Sequence, residues 1–442
     1  MIRKFEFHIP GGGQASHFLI QLPYVDLFWF HMPAFFMITD YLFINGCQPF
    51  TMKLVFYSLI LNNHQANVAD ELWELTRHSY CFVELANLQA EHRKGDSHDY
   101  SDRPYLLQAW QSKENYSKAM KLAQTAECCV FSGVRALPFQ KARMKRGLLS
   151  FDMSERWLKR GVLNLFSPTI LKMSLAYHFG GWSRKPLYKL CCSAFAAADQ
   201  YKVGTYHGRC YKWGYFTRVE KVNVEAFPDV STLNITPLMW CSRYLMWKHP
   251  ELPILMARRL KNKGYRFILD MYGNGEYEIQ TRRLAKELEV EDVVRFIGVK
   301  PNNELLDDMR RHSIFLFTSD RNEGWGAVAN ESMSNGCVLV ASDGIGSSPY
   351  LINDGQTGLL FTSPKQSSSF NRPDIVALDS LCDKVEYLLA NPRKWQDMRN
   401  RSTALMQGLW NPHIAAERLL ILIDCLEKGK DAPFVEGPCS KA

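Results

Sequence analysis

A short apolar run, Ser313–Thr318, ends in a loop that carries a glycine pair and the glutamates Glu323 and Glu331, and then continues as a helix. A run without polar alternation reads as a strand buried on both faces of a parallel sheet. Parallel strands need long crossover connections, so this one segment already demands an α/β sheet built from βαβ units. The same rhythm recurs along the chain. Apolar runs at 52–60, 127–131, 186–192, 266–272, 293–297 and 338–340, and one opening at Leu238, read as further strands, with helical patterns at 68–76, 252–262 and 413–426.

Open α/β sheets bind ligands at the carboxyl ends of their strands, where helix N-termini present unpaired N–H groups. Glu323 falls in such a loop, and Gly324 and Gly326 let backbone donors approach a ligand closely. Glu331 follows eight positions later, about one and a half turns into the helix. Ionised carboxylates accept hydrogen bonds from vicinal hydroxyls, so the pair suits two sugars. Taken alone, the same spacing also describes a capping acid and a solvated helical glutamate. A cationic counterpart lies after the run that opens at Leu238, where Arg243 and Lys248 stand five residues apart before Pro250 and the helical pattern 252–262. Arg can fork across phosphate oxygens while Lys acts as a point charge. Gly273 and Gly275 form a further tight turn, after the run 266–272, where a phosphate or base could rest.

Together with the small-residue text Ser332–Gly346 and Leu351–Phe361, the stretch Glu323-Gly-Trp325-Gly326 to Glu331 resembles the retaining glycosyltransferases of family four, which have the GT-B fold. That resemblance implies two doubly wound Rossmann-like domains with the donor site in the cleft between them. It assigns Arg243 and Lys248 to the diphosphate and Glu323 to the transferred sugar. Gly324, Trp325, Gly326, Glu331, Gly273 and Gly275 would surround the donor, with Glu331 on the ribose. One departure is Ser242, where the family usually has glycine. The implied reaction is a retaining, metal-independent transfer from a nucleoside-diphosphate sugar, with uridine donors the commonest. The implied acceptor is a glycan or lipid-linked oligosaccharide in cell-surface polysaccharide synthesis, at the cytoplasmic membrane face. A nucleotide-sugar epimerase or a non-catalytic nucleotide-sugar-binding partner subunit would share the fold. A phosphorylase would need a pyridoxal phosphate lysine, and none is legible.

At 442 residues the chain has room for two such domains, and a net charge of +8 is compatible with anionic nucleotides or a membrane surface. Basic runs interleaved with aromatics are absent, which excludes the usual nucleic-acid footprint. The cysteines include the doublets Cys128-Cys129 and Cys191-Cys192 but no Cys-x2-Cys, so buried reduced thiols in a cytoplasmic protein are expected. No Asp-x-Asp is present to hold a cation on a diphosphate, and no metal or other cofactor is expected.

The expected organisation is a leader at 1–51, an acceptor-binding domain at 52–218, a linker at 219–236 and a nucleotide-sugar domain at 237–408. A helix at 409–427 would cross back to the first domain, and a tail at 428–442, rich in charge, Gly and Pro, would be disordered. The leader resembles a fragment of integral-membrane O-acyltransferases around 30–43. Its uncharged stretch, Leu27–Thr39, is too short to span a bilayer, so a fusion relic or over-long start is expected. On the acceptor side, Asn63 and His64 follow the first strand, where the family places a loop meeting both substrates; His64 reads equally as a turn residue. Arg156 and Asp199 lie in stretches that resemble polysaccharide transferases, and read equally as a structural ion pair.

Overall fold

The computed structural model describes residues 50–87, 99–159, 161–220, 227 and 232–442. The expected leader, with its acyltransferase likeness, and most of the expected linker lie outside them. The described chain folds around two wholly parallel sheets. The first contains β1 (Leu54–Ser58), β2 (Cys81–Glu84), β3 (Leu106–Gln108), β4 (Cys128–Ser132), β5 (Ser150–Ser154), β6 (Leu187–Cys191) and β7 (Cys210–Lys212), in the order β3-β2-β1-β4-β5-β6-β7. The second contains β8 (Thr236–Cys241), β9 (Phe267–Tyr272), β10 (Val294–Gly298), β11 (Ile314–Phe317), β12 (Val338–Ser342) and β13 (Leu359–Phe361), in the order β10-β9-β8-β11-β12-β13. This is the two-domain Rossmann-like architecture of the GT-B fold. In each sheet the order reverses between the first strand and its neighbour on the other side, β1 with β4 and β8 with β11. Loops diverge there and leave a crevice at the strand carboxyl ends.

Strands that the sequence pattern missed have physical reasons to be hard to read. β3, β7 and β13 have three residues each, too few for a periodicity. β5 carries Asp152, which would ordinarily argue against a buried strand. Asp152 instead accepts a hydrogen bond from Lys189 on β6 at 2.7 Å and another from the Tyr206 hydroxyl at 3.1 Å. Both partners of that ion pair are buried, and their strand register places them side by side.

The tail is a correction. Residues 428–442 do not trail into solvent; Cys439 and Ser440 are fully buried. The Cys439 amide donates to Lys212 O, the Lys212 amide to Ser440 O and the Ala442 amide to Cys210 O, at 2.8, 2.8 and 3.1 Å. The tail thus runs antiparallel along β7 and satisfies an edge whose backbone groups would otherwise be unpaired. Arg418 anchors it from within, donating to the carbonyls of Glu436 and Pro438 and lying over the Phe434 ring. Composition described the tail as polar, but the open strand edge organises it.

The helix Pro412–Glu427 packs on the helix Asn63–Leu75 of the first domain, with His413 Nδ1 2.8 Å from Glu71 Oε2. The two domains also share one aromatic cluster. Trp325 of the second packs with Tyr215 of the first, and Trp410 lies between Phe216, Trp325 and Tyr350.

Candidate active site in the interdomain crevice

Two loops of the second domain meet at its topological switch point. One follows β8 and carries Arg243 and Lys248; the other follows β11 and carries Glu323. Thr318 joins them: its hydroxyl receives the Trp240 indole N–H at 2.9 Å and donates to Lys248 O at 2.7 Å. The Asp320 amide donates to Trp247 O at 3.0 Å, and Asp320 accepts the Asn322 amide at 2.7 Å, closing the turn that presents Glu323.

At the centre of this frame Lys248 Nζ donates to Glu323 Oε2, and Ser319 Oγ donates to the same oxygen at 3.0 Å. Both charged side chains are only 10% exposed. The ammonium also lies 4.2 Å from the Trp247 ring centroid. An ammonium and a carboxylate predicted from separate motifs are therefore one buried pair. Arg243, on the same loop, is exposed.

His249 follows Lys248 and is the main structural residue that sequence reasoning passed over. It is buried and adopts a left-handed backbone, φ 49°, uncommon for a residue with a β-carbon. Its Nδ1 lies 2.8 Å from Glu251 Oε1 and its Nε2 3.5 Å from Asp320 Oδ2. Burial alone would lower the imidazole pKa, but the Asp320 and Glu251 carboxylates outweigh it and raise it to about 9. A charged imidazolium thus ties both loops together at neutral pH. Glu251 and Asp320 are distant in sequence, so no local motif could have announced the network.

Glu331 stands at the start of the helix Val328–Ser334, and burial raises its carboxyl pKa to about 7. Its carboxylate accepts a marginal 3.5 Å approach from the Asn302 amide. The folded chain therefore holds this proton more tightly than the unfolded chain, and the group contributes a loss of stability as pH rises from its ordinary 4.5 toward 7. A ligand hydroxyl donating to the carboxylate would favour its ionised form and expel the proton. Nucleotide binding at pH 6 should therefore release protons, seen as a calorimetric heat that scales with buffer ionisation enthalpy. Glu331→Gln should abolish that dependence; if it persists, another group supplies the proton.

The glycines have mixed roles. A β-carbon on Gly324 would stand 1.8 Å from Oε2 of Glu155, a first-domain residue, so this position is set by an approach across the cleft. Gly273, at φ +111°, lies against the Ser242 carbonyl, where a β-carbon would come within 2.0 Å. The turn containing Gly273 and Gly275 is thus packed on the Arg243 loop, which is sufficient reason for its glycines. Gly326 has a left-handed φ of 78° at the start of the Glu331 helix. The side chain of Trp325, a residue expected beside the donor, is completely buried in the interdomain aromatic cluster, and its indole N–H donates to Asn330 Oδ1 at 2.8 Å. The indole is a pin between domains.

On the first-domain side the ring of His64 stacks parallel to that of Tyr215 at 5.7 Å, and Asn63 begins the adjoining helix. The Tyr215 hydroxyl donates to Glu155 Oε1 at 2.7 Å, and Lys159 donates to Oε2 at 2.6 Å. Burial and the neighbouring Glu155 hold Tyr215 well above its ordinary pKa, so it remains a donor. Glu155 adjoins Arg156 in the chain, but its position against Gly324 and its hydrogen bond from Tyr215 were not legible in the sequence. Arg156 and Asp199 are brought together, with nitrogen to oxygen distances of 3.4 Å, and Asp199 also accepts the Leu158 amide at 2.8 Å. Asp199 is 1% exposed, so its expected acceptor contact is replaced by a structural one that braces the Glu155 loop.

Among the described residues, no group of three or more His, Cys, Asp or Glu side chains is placed to hold a metal, and all eleven described cysteines are free thiols.

Paired Rossmann-like sheets with a cation–carboxylate pair facing the other domain across a crevice define a GT-B protein. Residues 238–403, within the second domain, match the model of the family described as Glycosyl transferases group 1. A D-inositol 3-phosphate glycosyltransferase of Corynebacterium aurimucosum is 41% identical over 80 residues, 18% of this chain and 18% of that protein. A putative colanic acid biosynthesis glycosyltransferase, WcaL, of Salmonella typhimurium is 26% identical over 164 residues, 35% of this chain and 40% of the other. These matches span less than half the length of either curated relative. The crystal structure of Anabaena HepE in complex with UDP superimposes with a TM-score of 0.61 at 15% identity, covering 85% of this chain and 100% of that one. That likeness establishes the fold across both domains.

Proposed function

We propose that the protein is a retaining glycosyltransferase that moves a sugar from a nucleoside-diphosphate donor, a UDP-sugar, to a glycan or lipid-linked oligosaccharide acceptor in cell-surface polysaccharide synthesis. It would act at the cytoplasmic face of the membrane. The observation that carries the reading is the buried Lys248–Glu323 pair at the switch point, with Arg243 exposed on the same loop. Arg243 and Lys248 bind the diphosphate and stabilise the charge that grows on it as the sugar C1–O bond breaks. Glu323, held by Ser319, orients the transferred sugar through its hydroxyls, with Gly324 and Gly326 lining the donor and Glu331 receiving the ribose. The two cations take the place that a metal ion fills in metal-dependent transferases. The acceptor oxygen attacks C1 on the face that the leaving group vacates, and its proton passes to the departing phosphate oxygen. His64 and Asn63 face the acceptor. The UDP in the HepE structure supports a uridine donor.

A thermal-shift panel of UDP, GDP, ADP and TDP and their sugars tests this reading. The expected result is selective stabilisation by uridine nucleotides, lost in Arg243→Ala, which melts like the parent without ligand, and in Glu331→Ala, which without ligand melts no lower than the parent. Failure of every nucleotide to shift the melting temperature would overturn the donor assignment. Conversion of the donor without an acceptor would instead identify an epimerase, and binding without any turnover a partner subunit.

A further inference from the structure

We infer that the surface formed by residues 163–179 of the first domain is a docking face for an anionic lipid bilayer. Of the large hydrophobic side chains exposed on the described chain, six cluster within these seventeen residues: Leu163, Leu165, Phe166, Leu171, Leu175 and Phe179. Phe166 is 83% and Phe179 85% exposed. The helix Pro168–Phe179 already packs through Ile170 and Tyr177, so Leu171, Leu175 and Phe179, four residues apart, form a second apolar face directed away from the domain. A surface helix with one satisfied apolar face and another left open presents a patch that a monomeric protein seldom leaves bare.

Charge identifies the occupant. From Trp157 to Ala198 the sequence contains no aspartate or glutamate, while Lys172 and Arg184 are exposed beside the patch. Apolar side chains flanked by cations match the acyl and phosphate layers of an anionic membrane. They are poorly matched to a second copy of this chain, because a two-fold contact would bring the same acid-free, cationic surface against itself. Position adds a reason for the arrangement. The segment leading into the patch lies against the second domain, where Arg321 donates to Leu158 O at 3.2 Å and Gln366 to Lys159 O at 3.1 Å. A bilayer on this face would bring a lipid-anchored sugar to the crevice mouth, so the inference deepens the acceptor reading proposed above.

The test is co-sedimentation with vesicles of phosphatidylcholine alone and of phosphatidylcholine mixed with phosphatidylglycerol. It involves no transfer step, so it can fail or succeed independently of the catalytic reading. Binding to the anionic vesicles is expected, weaker in high salt and on neutral vesicles. Phe166→Glu and Phe179→Glu should each reduce it on the order of tenfold, with unchanged melting temperatures because both side chains are already in solvent. Lys172→Glu combined with Arg184→Glu should remove the preference for anionic lipid. Absence of binding, or binding indifferent to the phenylalanine changes, would overturn the inference. So would a dimer in solution that Phe179→Glu dissociates.

Discussion

Replacing Lys248 with methionine should destabilise the fold by roughly 3–5 kcal/mol and also abolish nucleotide-dependent stabilisation, because it leaves the Glu323 carboxylate buried without its counter-charge. Glu323→Gln should cost less, since the neutral amide can still accept from Ser319, but it leaves the ammonium unpaired against the Trp247 ring. The double variant Lys248→Met/Glu323→Gln should recover most of the lost stability, since a buried pair removed together leaves no isolated charge. It should not recover function. On the role proposed for Lys248 at the diphosphate, its loss is expected to lower transfer on the order of a hundredfold or more. Urea unfolding of the four proteins, read as a double-mutant cycle, measures the coupling directly. Strictly additive stability losses would mean that the two groups are not an energetic unit. Full transfer activity in the double variant would remove both from the donor site.

The second large effect is centred on His249. Its pKa rises from an ordinary 6.5 to about 9 in the folded chain, so the folded state binds the proton more tightly than the unfolded state. The stability contributed by this group is fully present below pH 6.5 and is lost as pH rises through about 9. The urea midpoint should therefore decline across that window and flatten in His249→Gln. His249→Ala leaves the Glu251 and Asp320 carboxylates facing one another in a buried site, a change expected to cost roughly 3–5 kcal/mol. The loops carrying Lys248 and Glu323 should loosen together, so nucleotide affinity falls although His249 itself is buried. A parent midpoint that is flat between neutral and alkaline pH would show that the imidazole does not carry its charge in the folded state. The Glu331 titration has the same sign but lies in a lower window, from its ordinary 4.5 toward about 7, so the pH range tells the two effects apart.

The short apolar runs were sufficient, by themselves, to determine a parallel α/β architecture, and the paired glycines and the spacing of Arg243, Lys248, Glu323 and Glu331, read with the family resemblance, nominated both sides of a donor site. Such features are local: a strand buried on both faces must be continuously apolar, and a loop that approaches a ligand must lack side chains. Tertiary structure alone decided what depends on residues far apart in the chain. It merged Lys248 and Glu323 into one buried pair, set His249 between Glu251 and Asp320, and buried the Trp325 indole in the domain interface. It also turned a polar tail into the cover of the β7 edge and paired Arg156 with Asp199. In each case the deciding energy is desolvation. Whether a charge, an indole or a strand edge is stable in the interior depends on the partner the fold brings to it, and local sequence does not record that partner.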